Sequence, residues 1–475
     1  MAILGVFCIL FYFLHDNDEE LYKVAFVIIL SFGIICALTV PILLHVDELE
    51  HFTRSELTSH GEFIPHWIGD EMGIHRLYNL TDGEFSDEFN HGVGFYSIGS
   101  LRFYEDDSGK TVFDTTHGSD KINHTPYIRP SAFEQNPFYG YLPQAIGIFI
   151  AKLLDLNVIW MLWLGRIFNL VCFAFLVALA VKITPCLKMP FIAVSCIPVT
   201  IFHASSVSID SMIFGLGILA VAYFLYLHQS SENSIENKHW IIFTLLCLLL
   251  GLCKLPYLAF IFLLLLVPKD NFKDANALPL IILSILIVAI CGILWSRYSM
   301  PALMHSWRSS FNQVNSTGQL KYLLNNPLAI LKFFQLSITN GLFEITGELI
   351  NFDYGSESSF ARYSFIIMAV EAFVAIVLFA YPSKIRFDLK TKLGSLLIFL
   401  VIYFGTFFVQ LLTWANVGQM NFGVHIRYFI PLFCLIPVFF QLNLLNDSRN
   451  FDRYTFVFII GFMATLILAL VTKYY

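Results

Sequence analysis

Runs of about twenty apolar residues recur along the whole chain, with short polar stretches between them. A helix of about twenty residues crosses the hydrocarbon core of a bilayer, so each such run predicts a membrane span. The fold class that follows is an all-α polytopic membrane protein with about twelve transmembrane helices. The predicted spans are Met1–Leu14, Val24–His45, Val158–Val181, Met189–His203, Ser211–His228, Trp240–Val267 as a pair, Leu278–Tyr298, Arg362–Tyr381, Leu393–Trp414, Tyr428–Leu445 and Tyr454–Thr472.

The run Trp240–Val267 is counted as two helices because Lys254 and Pro256 interrupt it. Proline breaks a helix and lysine is costly at membrane depth, so the chain is expected to turn back at the membrane surface there. Basic residues at short loops then divide twelve to three between the two sides, which places the long insertion outside. The twelve are Lys23, Lys182, Lys188, Lys238, Lys269, Lys273, Lys384, Arg386, Lys390, Lys392, Arg449 and Arg453, and the three are Lys254, Arg427 and Lys473.

Two long segments separate the groups of spans. The first is predicted to be an extracytoplasmic insertion with short helices and a small β-hairpin, formed by residues 94–98 and 111–113 around a turn at 106–109. After it, the amphipathic run Phe138–Leu154 predicts a helix on the membrane surface, and Leu320–Leu336 is also amphipathic. The chain thus divides into first two membrane helices at 1–45, the insertion at 46–137, central helices at 138–298, a second outer segment at 299–361 and C-terminal helices at 362–475.

Composition supports a membrane protein and locates its acidity. Of the 475 residues, 57% are hydrophobic and only 13% are charged, which excludes an ordinary soluble domain. The net charge is −7, but residues 46–137 hold 17 acids and 6 bases, or −11, which leaves +4 for the remainder. Nothing in this balance indicates a nucleic-acid partner. The nine cysteines lie in or beside apolar runs, without the spacing of a disulfide framework or a metal site.

An acidic motif directly follows the second predicted span. If Val46–His51 continues as a helix, Asp47, Glu50, His51 and Arg54 share one face, because residues three and four apart are neighbours on a helix. Two acids, an imidazole and a cation at the lipid–water boundary could accept a proton, hold a cation or meet a phosphate. The alternative is an ordinary solvated loop.

Other polar residues lie at helix ends on the same predicted side. Ionisable groups at membrane depth face a cavity or a partner by default. Each also has a structural explanation: Arg166 as a buried ion-pair partner, Lys254 as a side chain reaching the interface, Arg427 as a helix anchor and Asp210 as a helix cap. The histidines between 51 and 124 have no zinc-type spacing. The outer polar positions are Arg166, Asn169, Ser205, Ser206, Ser208, Asp210, Lys254, Gln419, His425 and Arg427.

Six motifs in order carry a resemblance to a known family. They are Asp47–Arg54, Tyr141–Ile148, Gly165–Asn169, Ser205–Met212, Cys253–Tyr257 and Gly423–Pro431. Together they resemble a bacterial family of multispanning membrane proteins of unknown function. That family is itself similar to the GT-C superfamily of glycosyltransferases, which use polyprenyl-phosphate sugars.

The resemblance implies a GT-C-like fold and an acidic catalytic pair in the first outer loop, here Asp47 and Glu48. The family often has Asp-Glu-Pro-x-His, whereas this chain has Leu49 and Glu50 in place of Pro-x. Some superfamily members use a divalent cation, Mg²⁺ or Mn²⁺, for which Asp47 and Glu50 are the candidate ligands. His51 and Arg54, with Glu50, are expected to support the acidic pair.

The expected function is that of an inverting glycosyltransferase in the bacterial cell membrane with an extracytoplasmic site. It would move a sugar from a polyprenyl-phosphate donor to a cell-envelope polysaccharide or teichoic-acid-type acceptor. The alternatives are a transporter or flippase of lipid-linked saccharides without chemistry, and a sensor or scaffold. Arg166, Lys254 and Arg427 are expected to bind the donor phosphate. The expected acceptor or sugar contacts are Tyr141, Gln144, Asp210, Gln419 and His425.

Overall fold

The computed structural model describes residues 2–15, 17–64, 95–97, 103–124, 126–128, 133, 135–273, 277–304, 314–348, 364–383, 385–420, 423–440 and 448–475. Helices dominate this part of the chain, and a two-stranded antiparallel sheet pairs β1 (Phe95–Ser97) with β2 (Pro126–Ile128). The α-helices are α1 (Ala2–Leu14), α2 (Leu21–Thr39), α3 (Glu48–Ser59), α4 (Leu142–Leu153), α5 (Ile159–Ile183), α6 (Lys188–Ser195), α7 (Pro198–Ala204), α8 (Asp210–Gln229), α9 (Asn237–Cys253), α10 (Ala277–Met304), α11 (Ser316–Asn325), α12 (Pro327–Glu348), α13 (Ser364–Phe379), α14 (Leu389–Trp414), α15 (Ile430–Phe433), α16 (Ile436–Phe439) and α17 (Ser448–Tyr474). Four 3₁₀ helices cover Phe138–Tyr141, Leu255–Leu266, Lys269–Asn271 and Ile426–Phe429.

Six of the described helices are long and apolar enough to cross a membrane. They are α2, α5, α8, α10, α14 and α17, and the shorter apolar helices include α1, α9 and Leu255–Leu266. This part of the chain therefore confirms a helical multi-pass membrane protein, while the total of about twelve spans stays a prediction. The most extensive packing joins α5 to α2, α4 and α8, so α5 lies at the centre of the bundle.

The predicted interruption of the run Trp240–Val267 is confirmed. Helix α9 ends at Cys253, Lys254 is extended with φ −151° and ψ 101°, and Pro256 opens the 3₁₀ helix Leu255–Leu266, which packs back against α9. Proline fits the first turn of a helix because its missing N–H has no partner to lose there. Lys254 therefore lies between the end of α9 and the start of the 3₁₀ helix Leu255–Leu266.

Three runs predicted as continuous spans are interrupted by proline, so those predictions were wrong in detail. The helix from the run Val24–His45 ends at Thr39, and Pro41 follows in a loop over residues 40–47. Pro198 begins α7 and divides the run Met189–His203 into α6 and α7. Pro437 is the second residue of α16, which follows α15 in the run Tyr428–Leu445. Proline at these positions removes a helical N–H and crowds the preceding turn, so a new short helix begins instead.

The predicted hairpin was wrong in its pairing. Strand β1 lies at the predicted position, but its partner is β2 and not residues 111–113. Residues 103–106 form a helical turn, and Gly109 adopts a positive φ of 80° within the predicted turn. Burial of Phe103 and Tyr104 against Phe52 explains the difference, because this apolar contact holds 103–110 on α3 rather than in a free hairpin.

The amphipathic run Phe138–Leu154 forms a 3₁₀ turn and α4. One face of α4 exposes Leu142, Ile146, Phe149 and Leu153, at spacings of three and four residues, while the opposite face is buried. Its placement on a membrane surface stays a prediction. The other amphipathic stretch, Leu320–Leu336, falls on α11 and α12, which Pro327 separates.

Gly147 allows α4 to lie directly against α5. A Cβ atom at this position would come within 2.3 Å of the Leu164 carbonyl oxygen, closer than any real contact. We expect Gly147→Ala to force the helices apart and to lower the free energy of unfolding by roughly 1–3 kcal/mol. Thermal unfolding in detergent would measure this loss of stability as a lower melting temperature. Gly461→Ala in α17 is the matched control, because no atom lies within 4 Å of its added Cβ, and equal melting temperatures for both variants would contradict the packing argument.

Asp107 organises the segment that contacts the loop at 40–47. Its buried carboxylate accepts hydrogen bonds from Lys110 Nζ at 2.8 Å, Thr115 Oγ1 at 2.5 Å and the backbone N–H groups of Thr116 and His117 at 2.9 and 2.7 Å. Gly109 and Lys110 in turn exchange two backbone hydrogen bonds with Ile42. This segment therefore supports the loop that ends at residue 47.

Burial alone raises the pKa of the Asp107 carboxyl, but the four hydrogen bonds together hold the pKa well below its ordinary value. Its stabilising contribution is therefore complete above about pH 4 and is lost as the pH falls through the folded-state pKa. We expect Asp107→Asn to speed amide hydrogen exchange of residues 103–124 at pH 7. In the unaltered protein, protonation of Asp107 in acid should speed this exchange further, and the variant should lack that acid-dependent increase. Asp106→Asn, at a neighbouring carboxylate that is 59% exposed and lies 3.2 Å from His117 Nε2, should speed exchange much less. Identical exchange in both variants would contradict this role.

Candidate functional site

The acidic motif begins helix α3 after a tight loop. Asp47 precedes Glu48, the first residue of α3, and its φ of 60° places it in the left-handed region that aspartate tolerates better than most residues. The helix itself was predicted, and it places Glu50, His51 and Arg54 in successive turns. Asp47 precedes the helix and lines one cavity together with His51, whereas Glu50 and Arg54 of the predicted face lie outside that cavity.

Glu48 forms a fully buried ion pair with Arg166 in α5. Arg166 Nε and Nη2 donate to the two Glu48 carboxylate oxygens at 2.8 and 2.7 Å. The remaining guanidinium N–H groups donate to the carbonyl oxygens of Ala37 at 3.1 Å, Val40 at 2.8 Å and Pro41 at 3.0 Å. All five guanidinium donors therefore have an acceptor, as a buried arginine requires.

The same ion pair reaches the segment that leads into α8. Glu48 Oε1 accepts a third hydrogen bond, from the backbone N–H of Val207 at 2.9 Å. Asn169, one turn after Arg166 in α5, donates to the carbonyl oxygens of Ser206 and Ser208, both at 2.8 Å. The loop before α3 and the loop before α8 are thus fixed to the same turns of α5.

These contacts correct the roles expected of Arg166 and Glu48. Both side chains are completely buried, and neither lines a described cavity. A phosphate at Arg166 would have to displace Glu48 or three backbone carbonyls, each of which would then lose its partner. The arrangement fits the structural explanation for Arg166, and neither Glu48 nor Arg166 is placed to contact a ligand in the described cavities.

Four charged side chains converge on one cavity of about 230 Å³, called here the first cavity. Arg427 lies between two carboxylates: its Nε is 3.4 Å from Asp210 Oδ2, and its Nη2 is 3.9 Å from Asp47 Oδ2. Lys254 completes the group. The polar residues that line this cavity are Asp47, His51, Gln135, Asn136, Asp210, Lys254, Ser299, Thr406, Gln410, Thr413, Arg427 and Tyr428.

Aromatic side chains position the cations of the first cavity. Lys254 Nζ lies 2.9 Å from the centre of the Tyr428 ring, and the Arg427 guanidinium carbon lies 5.3 Å from the same ring. Tyr257 Oη donates to the Tyr428 carbonyl oxygen at 2.7 Å, which joins the segment before α15 to the 3₁₀ helix after Lys254. Burial lowers the pKa of Lys254 well below its ordinary value while the Asp210 carboxylate acts against this shift, so the ammonium form of Lys254 depends on a neighbouring anion.

His51 of α3 also reaches the first cavity. Its ring stacks on Phe133 at 4.2 Å between centroids, and its Nδ1 lies 2.9 Å from the Tyr141 hydroxyl. Asn136 Nδ2 donates to the same hydroxyl oxygen at 2.9 Å, which leaves the hydroxyl proton for His51 Nδ1. Tyr141 is completely buried, so it holds His51 in place rather than contacting a ligand.

The other expected contacts do not reach this cavity. Arg54 is buried and donates to Thr58 and to the carbonyl oxygens of Glu62 and Phe63. Glu50 is buried outside the cavity lining. Gln144 donates to the backbone carbonyl oxygens of Gly140 and Ser208. The backbone carbonyl oxygen of Gln419 accepts a hydrogen bond from Gln319 Nε2. The structure therefore does not support direct roles for Glu50, Arg54, Gln144 and Gln419.

Two further spaces adjoin the first cavity. A second cavity of about 320 Å³ shares Asp47, Trp414, Arg427 and Tyr428 with it and is also lined by His425. An apolar groove of about 500 Å³ runs between the 3₁₀ helix Leu255–Leu266 and α10, and it shares Leu255 and Pro256 with the first cavity. Polar and apolar spaces therefore meet at the turn after Lys254.

Several residues of α14 were missed by sequence reasoning. Thr406, Gln410 and Thr413 line the first cavity, and the Gln410 Oε1 atom is buried with no hydrogen-bond partner among the described residues. Their spacing of three and four residues puts them on one face of a helix. Polar side chains at this spacing within the apolar run Leu393–Trp414 could have indicated a cavity-facing side of the helix. Trp414, which also lines the first cavity, directly follows Thr413.

The expected divalent cation does not fit the predicted ligands. Asp47 lines the first cavity but Glu50 does not, and the described residues include no cluster of three His, Cys, Asp or Glu side chains able to hold a metal. The positive charge beside Asp47 and Asp210 is that of Arg427.

Comparison with known proteins places the chain in a family. No curated protein and no solved structure is significantly similar to it. Residues 30–436, which include every residue of the first and second cavities, match the family described as "Predicted membrane protein (DUF2142)". The match extends over most of the chain, so this protein belongs to the predicted membrane protein family DUF2142.

Proposed function

We propose that the protein is an inverting glycosyltransferase that takes a sugar from a polyprenyl-phosphate donor. The observation that carries the proposal is the meeting of Asp47, Lys254 and Arg427 in one cavity that continues into an apolar groove. The cations suit a lipid phosphate, the carboxylate suits a general base, and the groove suits a hydrocarbon chain. The resemblance to GT-C enzymes in the sequence motifs agrees with this combination.

Asp47 is the better candidate for the base of the two carboxylates. Its oxygen lies 3.9 Å from Arg427, whereas that of Asp210 lies at 3.4 Å and is more strongly neutralised. Asp47 also lines both cavities, while Asp210 lines only the first. A base must reach the nucleophile and the reacting carbon together, and Asp47 occupies the wall between the two spaces.

In the proposed reaction, an acceptor hydroxyl oxygen forms a bond to the anomeric carbon of the donor sugar from the face opposite the phosphate. The bond from that carbon to the phosphate oxygen breaks, and its electron pair leaves with the phosphate. The hydroxyl proton passes to the Asp47 carboxylate. Arg427 and Lys254 stabilise the negative charge that grows on the departing polyprenyl phosphate.

The wider setting of the proposal is the bacterial cell membrane, with the site on its outer face. The excess of basic residues at the loops of the opposite end supports this orientation. The acceptor is then a cell-envelope polysaccharide or a teichoic-acid-type polymer, in line with the resemblance.

Replacement of Asp47 by asparagine tests the base. Asp47→Asn keeps the side-chain shape but cannot accept the proton, so we expect transfer to fall by roughly 10²- to 10⁴-fold. The assay incubates protein in lipid nanodiscs with radiolabelled polyprenyl-phosphate sugars and cell-wall polymer, and it counts label in the polymer. Asp270→Asn, in the loop at the other end of α9, is the control and should retain full activity.

Near-normal transfer by Asp47→Asn would contradict the proposed base. If the unaltered protein transfers no label with any donor but moves labelled lipid across a liposome membrane, the flippase alternative replaces the enzyme. The same preparation serves both measurements.

Replacement of Lys254 by methionine tests the phosphate contact. The change removes one cation but keeps the length of the side chain over Tyr428, and a hydrogen bond to a charged group contributes roughly 1.5–3 kcal/mol. We therefore expect kcat/KM for the donor to fall about ten- to hundredfold. Lys182→Met is the control, because Lys182 also lies over an aromatic ring, that of Tyr22, at the far end of α5. Equal donor kinetics in the two variants would contradict a role for Lys254.

A further inference from the structure

The second cavity contains a buried histidine that the proposed reaction does not use. His45 is only 2% exposed and lines this cavity two residues before Asp47. Its ring packs on Phe202 at 4.1 Å between centroids. Neither ring nitrogen has a hydrogen-bond partner among the residues that the structure describes. Buried polar atoms are usually paired, so an unpaired imidazole beside a cavity takes its partners from the contents of that cavity, either water or a ligand that displaces it.

The surroundings of His45 favour its neutral form. Burial, followed by the positive charge of Arg166, the neighbouring His203 and Arg427, lowers the pKa of His45 well below its ordinary value. A neutral imidazole has one N–H donor and one acceptor nitrogen. A hydroxyl group matches both, since it accepts and donates, whereas an anion only accepts.

The remaining lining of the second cavity also suits a polyhydroxylated ligand. Trp414, His425 and Tyr428 contribute aromatic or heteroaromatic rings, and Trp414 is 40% exposed. Aromatic faces pack against the C–H face of a ring, while the carboxylate of Asp47 accepts hydrogen bonds from hydroxyl groups. The second cavity has a volume of about 320 Å³, and Asp47 and Arg427 line both it and the first cavity.

We propose that the second cavity is the acceptor site, that its ligand is a saccharide, and that His45 hydrogen-bonds one hydroxyl of that saccharide next to the hydroxyl that reacts. The inference rests on the proposed glycosyl transfer and adds to it the location of the acceptor site and the residue that orients the acceptor. Donor and acceptor approach Asp47 from opposite sides. Attack from the side opposite the phosphate is the geometry that inversion requires.

Binding of saccharides, measured without donor, tests the site independently of transfer. The probes are the methyl glycosides of glucose, galactose, mannose and N-acetylglucosamine, and the readout is saturation-transfer difference NMR on protein in nanodiscs. We expect at least one probe to bind, His45→Phe to weaken its binding at least tenfold and His45→Asn to restore part of it, because an asparagine amide again offers a donor and an acceptor. His239→Phe, which lies at the opposite end of α9, is the control and should bind normally.

A melting temperature measured for each variant separates a lost contact from a lost fold. Absence of binding by all four probes to the unaltered protein overturns the proposal, as does equal binding by His45→Phe and His45→Asn. Competition by inorganic phosphate but by no glycoside would identify an anion site and overturn it as well.

In the transfer assay, the acceptor KM should rise for His45→Phe while the donor KM stays constant. If transfer proceeds and the acceptor KM is unchanged, the acceptor site is wrong and the proposed function stands. If a glycoside binds through His45 but no donor is ever consumed, the proposed function is wrong and the saccharide site stands.

Discussion

The buried pair between Glu48 and Arg166 is the interaction on which the rest of the site depends. An ion pair inside an apolar bundle is maintained only if hydrogen bonds compensate both charges, since desolvation of each ion is costly. Here the guanidinium has five acceptors and the carboxylate has three donor contacts. Loss of either partner would leave a charge unpaired in the interior, so the pair constrains sequence at both positions.

This pair determines where Asp47 and Asp210 lie because it joins two loops to one helix. Arg166 holds the carbonyl groups at the end of α2 and in the loop after it, Glu48 begins α3, and its contact with Val207 fixes the segment before α8. Asp47 precedes α3, and Asp210 is the first residue of α8. The carboxylates of Asp47 and Asp210 therefore lie on either side of Arg427 because of the contacts of Glu48 and Arg166, in which neither aspartate takes part.

The local features of this chain were accessible from its sequence. Apolar runs predicted the long helices, a lysine and a proline predicted the turn after α9, and residue spacing predicted α3, because each depends on neighbours within a few positions. The convergence of Asp47, Lys254 and Arg427 at one end of the bundle followed from topology, since helix ends on one side of a membrane must meet there.

The features that sequence reasoning missed depend on contacts between distant segments. Glu48 and Arg166 are 118 positions apart, so spacing could not distinguish a phosphate-binding arginine from one that is already paired. Strand β1 pairs with β2, some thirty residues further along the chain. The burial of Phe103 and Tyr104 on α3 excluded the predicted pairing with residues 111–113. His45 was counted as the end of a membrane span because nothing local reveals that both of its nitrogens lack partners in the described fold.

In the proposed reaction, the position of Asp47 in the wall between two cavities bears on the choice between transfer and hydrolysis. A sugar on a phosphate is already activated, so a transferase must keep water from the anomeric carbon until an acceptor arrives. With Asp47 and Arg427 between the spaces, the proposed donor would fill the first cavity while the nucleophile would enter through the second. Arg427 Nη2 lies 3.9 Å from Asp47 Oδ2, so a donor phosphate bound to Arg427 would compete with Asp47 for this cation. Under the proposal, this competition would link occupation of both cavities to proton transfer at Asp47, which would favour the acceptor over water.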